Sequence, residues 1–448
     1  NSMNKNFLND IILKLKAKGS DEVDVFYCES NNKNCSSRLG KIERKENSHT
    51  KEIGIRAIIN KRQAIISTTN FDQKNINSII DKVFEMAKVV PKNEYCGLAN
   101  TYEVKKVDSS ELSKLKLVDK KNISMKKITE KVLELEQSAL DNKKIINSEG
   151  AEISVSKDKY ILLGSNGLNL EFEKTNNSFI VAVLAGDNES MERHYDYKFK
   201  INFDDLGNFT KIGKNVAINA VKKINSRKVK TCKCDVIFDK KVSSSLLSNL
   251  FNAVNAPTII KGSSFLKKKL GQQIFNKKIS IIDDPLLVSQ TRSKLIDCEG
   301  IQSKRKYLVK DGNLEFFYNS LNSAKQIEQI PTGHASRSVS SLPGPSYSNL
   351  FMENGKENIN KIISSLKKGF LVTELMGSSI NYSNGDYSRG ASGFWIENGQ
   401  IAYPVSEVTI AGNLSDIFKN LIVCNDLEFN FGVNAPSCLV ENLTLGGK

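Results

Sequence analysis

The chain has 448 residues, a length that suits two or three domains with a sizeable hydrophobic core. Hydrophobic residues make up 39% of the chain and the mean hydropathy is -0.34. No apolar run reaches the roughly 18 residues of a membrane-spanning helix, so we expect no membrane partner. The net charge is +15, but the lysines are spread along the chain rather than clustered with arginine and aromatic residues. This pattern favours compositional bias over a nucleic-acid site.

Eight cysteines are scattered along the chain, with no Cys-x-x-Cys pair. This spacing is not that of a disulfide scaffold, so we expect a reducing, cytoplasmic location. Cys232 and Cys234 form the one close pair. On a strand both side chains would point to the same face, an arrangement more typical of packing than of a metal site. The first residues carry no apolar signal core, and we expect Met3 to be the native start.

Residues 1–92 are predicted to form an N-terminal α/β domain. Apolar residues recur at helical spacing near the start, and they alternate over 23–27 as in a half-buried strand. A β-hairpin is predicted over 53–67, with a polar turn at 60–63. Asp72 can cap the helix that follows it.

Residues 93–120 are polar and rich in lysine, and we interpret them as a linker. A middle α+β domain is predicted over 121–230. Ser124 can open its first helix, and a second helix is predicted over 209–221. Between the helices, Asn166-Gly167 predicts a tight hairpin, because both residues tolerate positive φ.

Residues 231–448 are predicted to form a β-rich C-terminal domain, which makes the whole chain an α+β protein. A strand over 236–238 leads into a helix over 242–255. Short strands then follow, and three dipeptides separate them as turns. These dipeptides are Asp311-Gly312, Asn384-Gly385 and Asn398-Gly399.

A search for catalytic and metal-binding motifs finds none. The three histidines are His49, His194 and His334, and neither His-Glu-x-x-His nor His-x-x-x-His occurs. Zinc hydrolases commonly place two ligands one helical turn apart, so the usual hydrolytic zinc site is not predicted. Neither a Gly-x-Ser-x-Gly elbow nor a phosphate-binding glycine loop is present.

Two segments are candidates for peptide or partner contact. Residues 371–413 are rich in glycine, which lets a backbone turn sharply or approach a ligand. Residues 331–349 contain three prolines and many serines, as an extended loop beside a cleft would. A tight β-meander and an inert crossing loop remain the alternative interpretations. The candidate contact residues are His334, Arg337, Glu374, Gly377, Asp386, Arg389, Gly390 and Trp395.

From about Glu22 onward, the sequence resembles the TldD/PmbA family (the "modulator of DNA gyrase" family), and its PmbA (TldE) branch in particular. The segments that carry the resemblance occur in the family's order. They are EIGIRAIINKRQAIISTTNFD (52–72), SSFLKKKLGQQIFNKKISIIDDP (263–285), DCEGIQSKRKYLVKDGNLEFFYNS (297–320), TGHASRS (332–338) and ELMGSSINYSNGDYSRGASGFWIENGQIAYPVSEVTIAGN (374–413). The last segment is the most specific.

The resemblance implies one half of a heterodimeric metallopeptidase that acts on small or unfolded peptides. The TldD branch carries a His-Glu-x-x-x-His zinc helix, whereas the corresponding residues here, 245–255, read SLLSNLFNAVN. We therefore expect a non-catalytic subunit without a cofactor of its own, and zinc in a TldD-type partner. The alternative is a stand-alone homodimer that binds peptides or regulates a protein such as gyrase, without hydrolytic activity.

Overall fold

A computed structural model describes residues 3–187 and 189–447. Its helices are α1 Lys5–Lys18, α2 Gln73–Val89, α3 Ser109–Lys114, α4 Met125–Leu140, α5 Phe209–Val221, α6 Lys240–Val254, α7 Ala256–Ile260, α8 Leu321–Gln326, α9 Ile359–Ser365 and α10 Leu414–Lys419. None of the helices within those ranges combines the length and the apolar character that crossing a membrane requires.

The strands make the protein β-rich and confirm the α+β class. They are β1 Glu22–Arg38, β2 Lys41–Ile59, β3 Arg62–Thr68, β4 Ile145–Gly164, β5 Asn169–Gly186, β6 Met191–Lys200, β7 Cys232–Phe238, β8 Ile281–Asp283, β9 Lys306–Lys310, β10 Asn313–Leu314, β11 Ala335–Ser336, β12 Gly344–Pro345, β13 Leu350–Met352, β14 Lys368–Asn381, β15 Asp386–Glu397, β16 Gln400–Asn413, β17 Leu421–Val423, β18 Val433–Asn434 and β19 Cys438–Gly446.

The first six strands form one antiparallel sheet in the order β3-β2-β1-β4-β5-β6. β1 pairs with β4 from Asp24 opposite Gly164 to Ser37 opposite Ala151. This pairing joins the first two predicted domains into a single sheet. Helices α1, α2, α4 and α5 pack against one face of it. The other face meets the C-terminal domain through apolar side chains such as Phe26, Leu162 and Val339.

Local signals place the helix starts and hairpin turns where they were predicted. Asp72 accepts the Lys74 N–H at the start of α2, and Ser124 accepts the Lys127 N–H at the start of α4. Asn60 and Lys61 form the β2–β3 turn with φ of 47° and 59°, the left-handed pair of a type I′ hairpin.

The polar segment 93–120, interpreted as a linker, is held against both neighbours. Leu98 and Leu117 are buried. The Leu98 N–H donates to Glu22, 2.7 Å away, and the Leu117 carbonyl accepts the Thr175 N–H at 2.9 Å. The segment therefore packs along the sheet instead of spanning solvent.

The C-terminal domain is built on a sheet ordered β16-β15-β14-β7-β19-β17. An additional pairing between β16 and β19 links the strand at one end of this order to the strand next to the other end, so the sheet closes on itself. A second sheet, ordered β10-β9-β8-β13-β18, packs with α6 into the same core. β14, β15 and β16 are longer than the short strands we expected. Their register shifts, such as the one between Val372 and Glu374, let long paired strands bend without ending.

Candidate functional site

Helix α6 occupies the position that the resemblance assigns to a zinc helix. Asp239 caps it by accepting the Lys241 N–H, and its buried face is mostly apolar, with Ser243 and Asn249 also buried. Ser244, Ser248 and Asn252, spaced four residues apart, lie on its less buried side. The helix contains no His, Cys, Asp or Glu. Across residues 3–187 and 189–447, no group of three or more such side chains could hold a metal ion. The donor set therefore does not fit a zinc ion.

His334 lies in a buried hydrogen-bonded network instead of an open cleft. Its Nε2 is 3.0 Å from Asp283 Oδ1, and its side chain is 2% exposed. Asp283 also accepts hydrogen bonds from the Tyr318 hydroxyl, at 2.7 Å, and from the N–H and hydroxyl of Ser348. Burial would raise the pKa of Asp283, but the His334 imidazole and these hydrogen bonds outweigh it and hold that pKa below its usual value. The network attaches the proline-rich loop to β8.

Arg337 connects the same loop to the first sheet. Its Nη1 donates to both carboxylate oxygens of Asp24, at 2.9 and 3.0 Å. Arg56 of β2 also donates to Asp24, with Nε at 3.1 Å. Burial acts to raise the pKa of Asp24, but the two guanidinium groups lower it overall. The contact is so close that a Cβ on Gly54 would lie 1.6 Å from the Val339 carbonyl oxygen.

Glu374 makes a second connection between domains. It lies on β14, and its Oε2 is 3.2 Å from Lys223 Nζ, just beyond α5. Arg193 of β6 is 3.8 Å away. The His194 ring also lies at this junction, and its Nε2 has no hydrogen-bond partner among the described residues. Burial, followed by repulsion from Lys223, lowers the pKa of His194 to about 3.

The remaining candidates hold the β14–β15–β16 meander together. Arg389 Nε donates to the carbonyl of Gly377 at 2.8 Å, and Gly377 has φ of 57°. The amides of Asn384 and Asn413 donate to the Asp386 carboxylate.

Gly390 and Trp395 both lie on β15. A Cβ on Gly390 would be 3.1 Å from the Met376 carbonyl oxygen. The Trp395 side chain is 4% exposed and lies in the core. The eight candidates thus occupy separate regions of the chain and do not converge on one cleft.

A cavity that the sequence did not indicate lies between the first sheet and the loops of the C-terminal domain. This interdomain cavity has a volume of about 270 Å³. Its sheet side carries Phe26, Tyr160, Leu162, Leu170, Phe172 and Lys174, and its loop side carries Arg292, Lys294, Asp297, Cys298, Ser336, Arg337 and Tyr347. The available sequence signal was a change of phase in β5. At the start of the strand the apolar residues occupy even-numbered positions: Leu168, just before β5, then Leu170 and Phe172. Later in the strand they occupy odd-numbered positions, such as Phe179 and Val181, which face the other side of the sheet.

Three family models match successive parts of this chain. The family models for PmbA/TldA metallopeptidase domain 1, central domain and C-terminal domain match residues 23–87, 119–224 and 231–447. The chain therefore belongs to the PmbA/TldD family, as its sequence resemblance predicted.

Named relatives and solved structures agree with this family. The chain is 29% identical to the metalloprotease PmbA homolog of Haemophilus influenzae, over 97% of this chain and 94% of that protein. It is also 29% identical to the metalloprotease PmbA of Escherichia coli O157:H7, with the same coverage. A crystal structure from Bacteroides thetaiotaomicron, of a protein named for modulation of DNA gyrase, matches with a TM-score of 0.91 and 26% identity, over 100% of both chains. TldE from Thermococcus kodakarensis matches in fold, with a TM-score of 0.85 and 22% identity, over 98% of this chain and 100% of that one.

Proposed function

We propose that this chain is the non-catalytic subunit of a TldD/TldE-type zinc metallopeptidase complex. It pairs with a TldD-type chain, which supplies the zinc ion and the glutamate base, and the complex cleaves small or unfolded peptides in the cytoplasm. This chain forms part of the wall of the substrate cleft and one side of the dimer interface, and it holds no metal of its own.

The observation that carries the proposal is the composition of α6. A hydrolytic zinc centre needs nitrogen, sulfur or carboxylate ligands and a general base at fixed spacing. α6 instead carries serine and asparagine on its less buried side, and mainly leucine, alanine and valine, with Ser243 and Asn249, on its buried side. Its N-terminal cap and its packing are those of a well-ordered helix. The helix is therefore present, but it lacks the metal ligands that the TldD branch carries at this position.

Two further observations support parts of the proposal. The PmbA relatives are named as metalloproteases, which supports a role in proteolysis. All eight cysteines are unpaired, including several that are buried, which supports a reducing compartment such as the cytoplasm.

The test is reconstitution of peptide cleavage. This chain, the TldD-type chain of the same organism and an equimolar mixture are each assayed on unfolded peptides. We expect no cleavage by this chain and much faster cleavage by the mixture than by either chain alone. A TldD-type chain whose zinc-helix glutamate is replaced by glutamine is the control, and it should abolish the activity of the mixture. Cleavage by this chain alone would refute the proposal.

A pull-down from native extract separates the proposal from its alternative. We expect the tagged chain to recover a TldD-type chain in comparable amount. Recovery of gyrase without a TldD-type chain would instead support a stand-alone regulatory homodimer.

A further inference from the structure

Four cationic side chains line the interdomain cavity: Lys174, Arg292, Lys294 and Arg337. Neither Lys174 nor Lys294 has a hydrogen bond or an ion pair from its Nζ within the described residues. Burial, and then the positive charge of Arg292, lowers the pKa of Lys174 to about 8. Burial also lowers the pKa of Lys294. Both lysines are only partly buried, and Asp158 and Asp297 oppose their charges in part. The lining nevertheless holds four cationic side chains and one carboxylate, Asp297, so the cavity favours an anionic occupant.

The carboxylate that lines the cavity, Asp297, attracts Lys294 electrostatically, but its oxygens are bonded to backbone N–H groups. Asp297 Oδ1 accepts the backbone N–H groups of Glu299 and Ile301, at 2.9 and 3.0 Å. Its Oδ2 accepts the Ala335 N–H at 3.1 Å. Asp297 therefore holds the loop backbone in place and leaves the lysine ammonium groups without a bonded partner.

Arg337 contributes positive charge to the cavity lining, but its guanidinium is sealed from solvent. Its side chain is 0% exposed, and its Nη2 has no hydrogen-bond partner in the part of the chain that the structure describes. Asp24 occupies Nη1 and is shared with Arg56, so one carboxylate faces two guanidinium groups. Because Nη2 has almost no accessible surface, the guanidinium adds positive charge to the cavity lining without a direct contact to a ligand.

The sheet side of the cavity, which also carries Lys174, is largely aromatic. The rings of Phe26 and Tyr160 stack with centroids 6.1 Å apart, and those of Tyr160 and Phe172 stack at 4.8 Å. Leu162 and Leu170 extend this wall. A ligand group that packs here must be apolar or aromatic.

We propose that the interdomain cavity binds a carboxylate carried on an apolar or aromatic group about one amino-acid residue in size. The carboxylate pairs with Lys174 and Lys294, while the apolar group packs on the aromatic wall. A volume of about 270 Å³ lies just below the roughly 300–1,000 Å³ of drug-sized ligand sites, so the ligand is small. The C-terminal residue of a peptide and a free carboxylic acid share this chemistry. The inference goes beyond the proposed subunit role and does not depend on it.

The test is calorimetric titration of the full chain with N-acetylphenylalanine and with its amide, which lacks the carboxylate. We expect the acid to bind at least about tenfold more tightly than the amide. Lys174→Met should weaken binding of the acid about tenfold, whereas Lys174→Arg keeps the charge and should retain most of the affinity. Lys157→Met is the matched control, because Lys157 lies on the same sheet outside the cavity. Its affinity should equal that of the wild type.

Equal affinity for acid and amide would overturn the inference, as would wild-type affinity in a folded Lys174→Met variant. Failure of N-acetylphenylalanine to bind at about 10 mM, a concentration that detects even millimolar affinity, would also overturn it. The tripeptide Gly-Gly-Phe, with a free or an amidated C-terminus, distinguishes the two sources. Carboxylate-dependent binding of the tripeptide assigns the site to peptide C-termini, whereas binding of N-acetylphenylalanine alone assigns it to free acids. Because zinc and cleavage are not measured here, failure of this test leaves the proposed subunit role standing.

Discussion

Arg337 of the proline-rich loop and Asp24 of β1 are 313 residues apart in sequence and form a buried two-point contact through Nη1. Their side chains are 0% and 2% exposed. Arg56 completes the cluster from β2. The cluster makes the first sheet and the C-terminal domain one packed unit, so its loss should affect both.

Asp24→Asn should destabilise the protein strongly. The change removes the carboxylate that faces two buried guanidinium groups, and breaking a buried ion pair from one side costs about 3–5 kcal/mol. Chemical unfolding followed by fluorescence of Trp395, the single tryptophan, measures this. Glu46→Gln is the control, because the Arg44–Glu46 pair is exposed and its loss should cost less than about 1 kcal/mol. Equal effects of the two changes would refute the role given to the cluster.

Gly54→Ala should disturb the contact between β2 and the proline-rich loop. Its Cβ would lie 1.6 Å from the Val339 carbonyl oxygen, an overlap that requires the loop backbone to move. We expect a loss of more than about 3 kcal/mol in unfolding free energy. Gly344→Ala changes a glycine of the same loop that has open space around its Cβ position, and it should stay within about 0.5 kcal/mol of wild type. Thermal unfolding by circular dichroism compares the two, and a tolerated Gly54→Ala would contradict this packing.

Glu299→Gln should change how stability depends on pH. Burial, and then the nearby Asp297 charge, raises the pKa of Glu299 to about 8. Between pH 4.5 and that value the unfolded chain releases this proton while the folded chain keeps it, so the wild type loses stability as pH rises. Glutamine removes the titration but can still accept the Leu321 N–H.

The variant should therefore gain stability relative to wild type on going from pH 5 to pH 8, by at least about 1 kcal/mol. Denaturant midpoints across this range give the comparison. A constant difference between the two proteins at all pH values would show that Glu299 does not titrate in this way.

Sequence patterns predicted the elements whose causes are local. Asp72 and Ser124 cap the helices they were expected to cap, and the Asn60 turn closes its hairpin, because a few neighbouring residues determine such features. The Asn166-Gly167 turn lies at the predicted place, but the connection spans residues 165–168 and Gly167, not Asn166, has positive φ, so the prediction of a two-residue turn was wrong. The sequence segments that resemble the TldD/PmbA family, above all residues 374–413, predicted the family. The segment 93–120 was harder, since its few apolar residues, such as Leu98 and Leu117, are spaced without a helical or strand period.

The candidate residues were harder to place because their partners are distant in sequence. Arg337 pairs with Asp24 and Glu374 with Lys223, and neither pair leaves a local signal. Polar residues in a glycine-rich or proline-rich segment suggest a cleft, but here several satisfy buried or turn hydrogen bonds. The cavity combines residues from β1, β4, β5 and two loops, so only the assembled fold reveals it.

Metal analysis tests most directly our proposal that the catalytic zinc ion is held by a TldD-type partner and not by this chain. The chain, purified without chelators and dialysed against zinc-containing and then zinc-free buffer, should keep far less than one zinc ion per molecule by plasma mass spectrometry. The complex with a TldD-type chain should keep about one per heterodimer, the count expected from one catalytic zinc helix. Stoichiometric zinc retained by this chain alone would contradict the account.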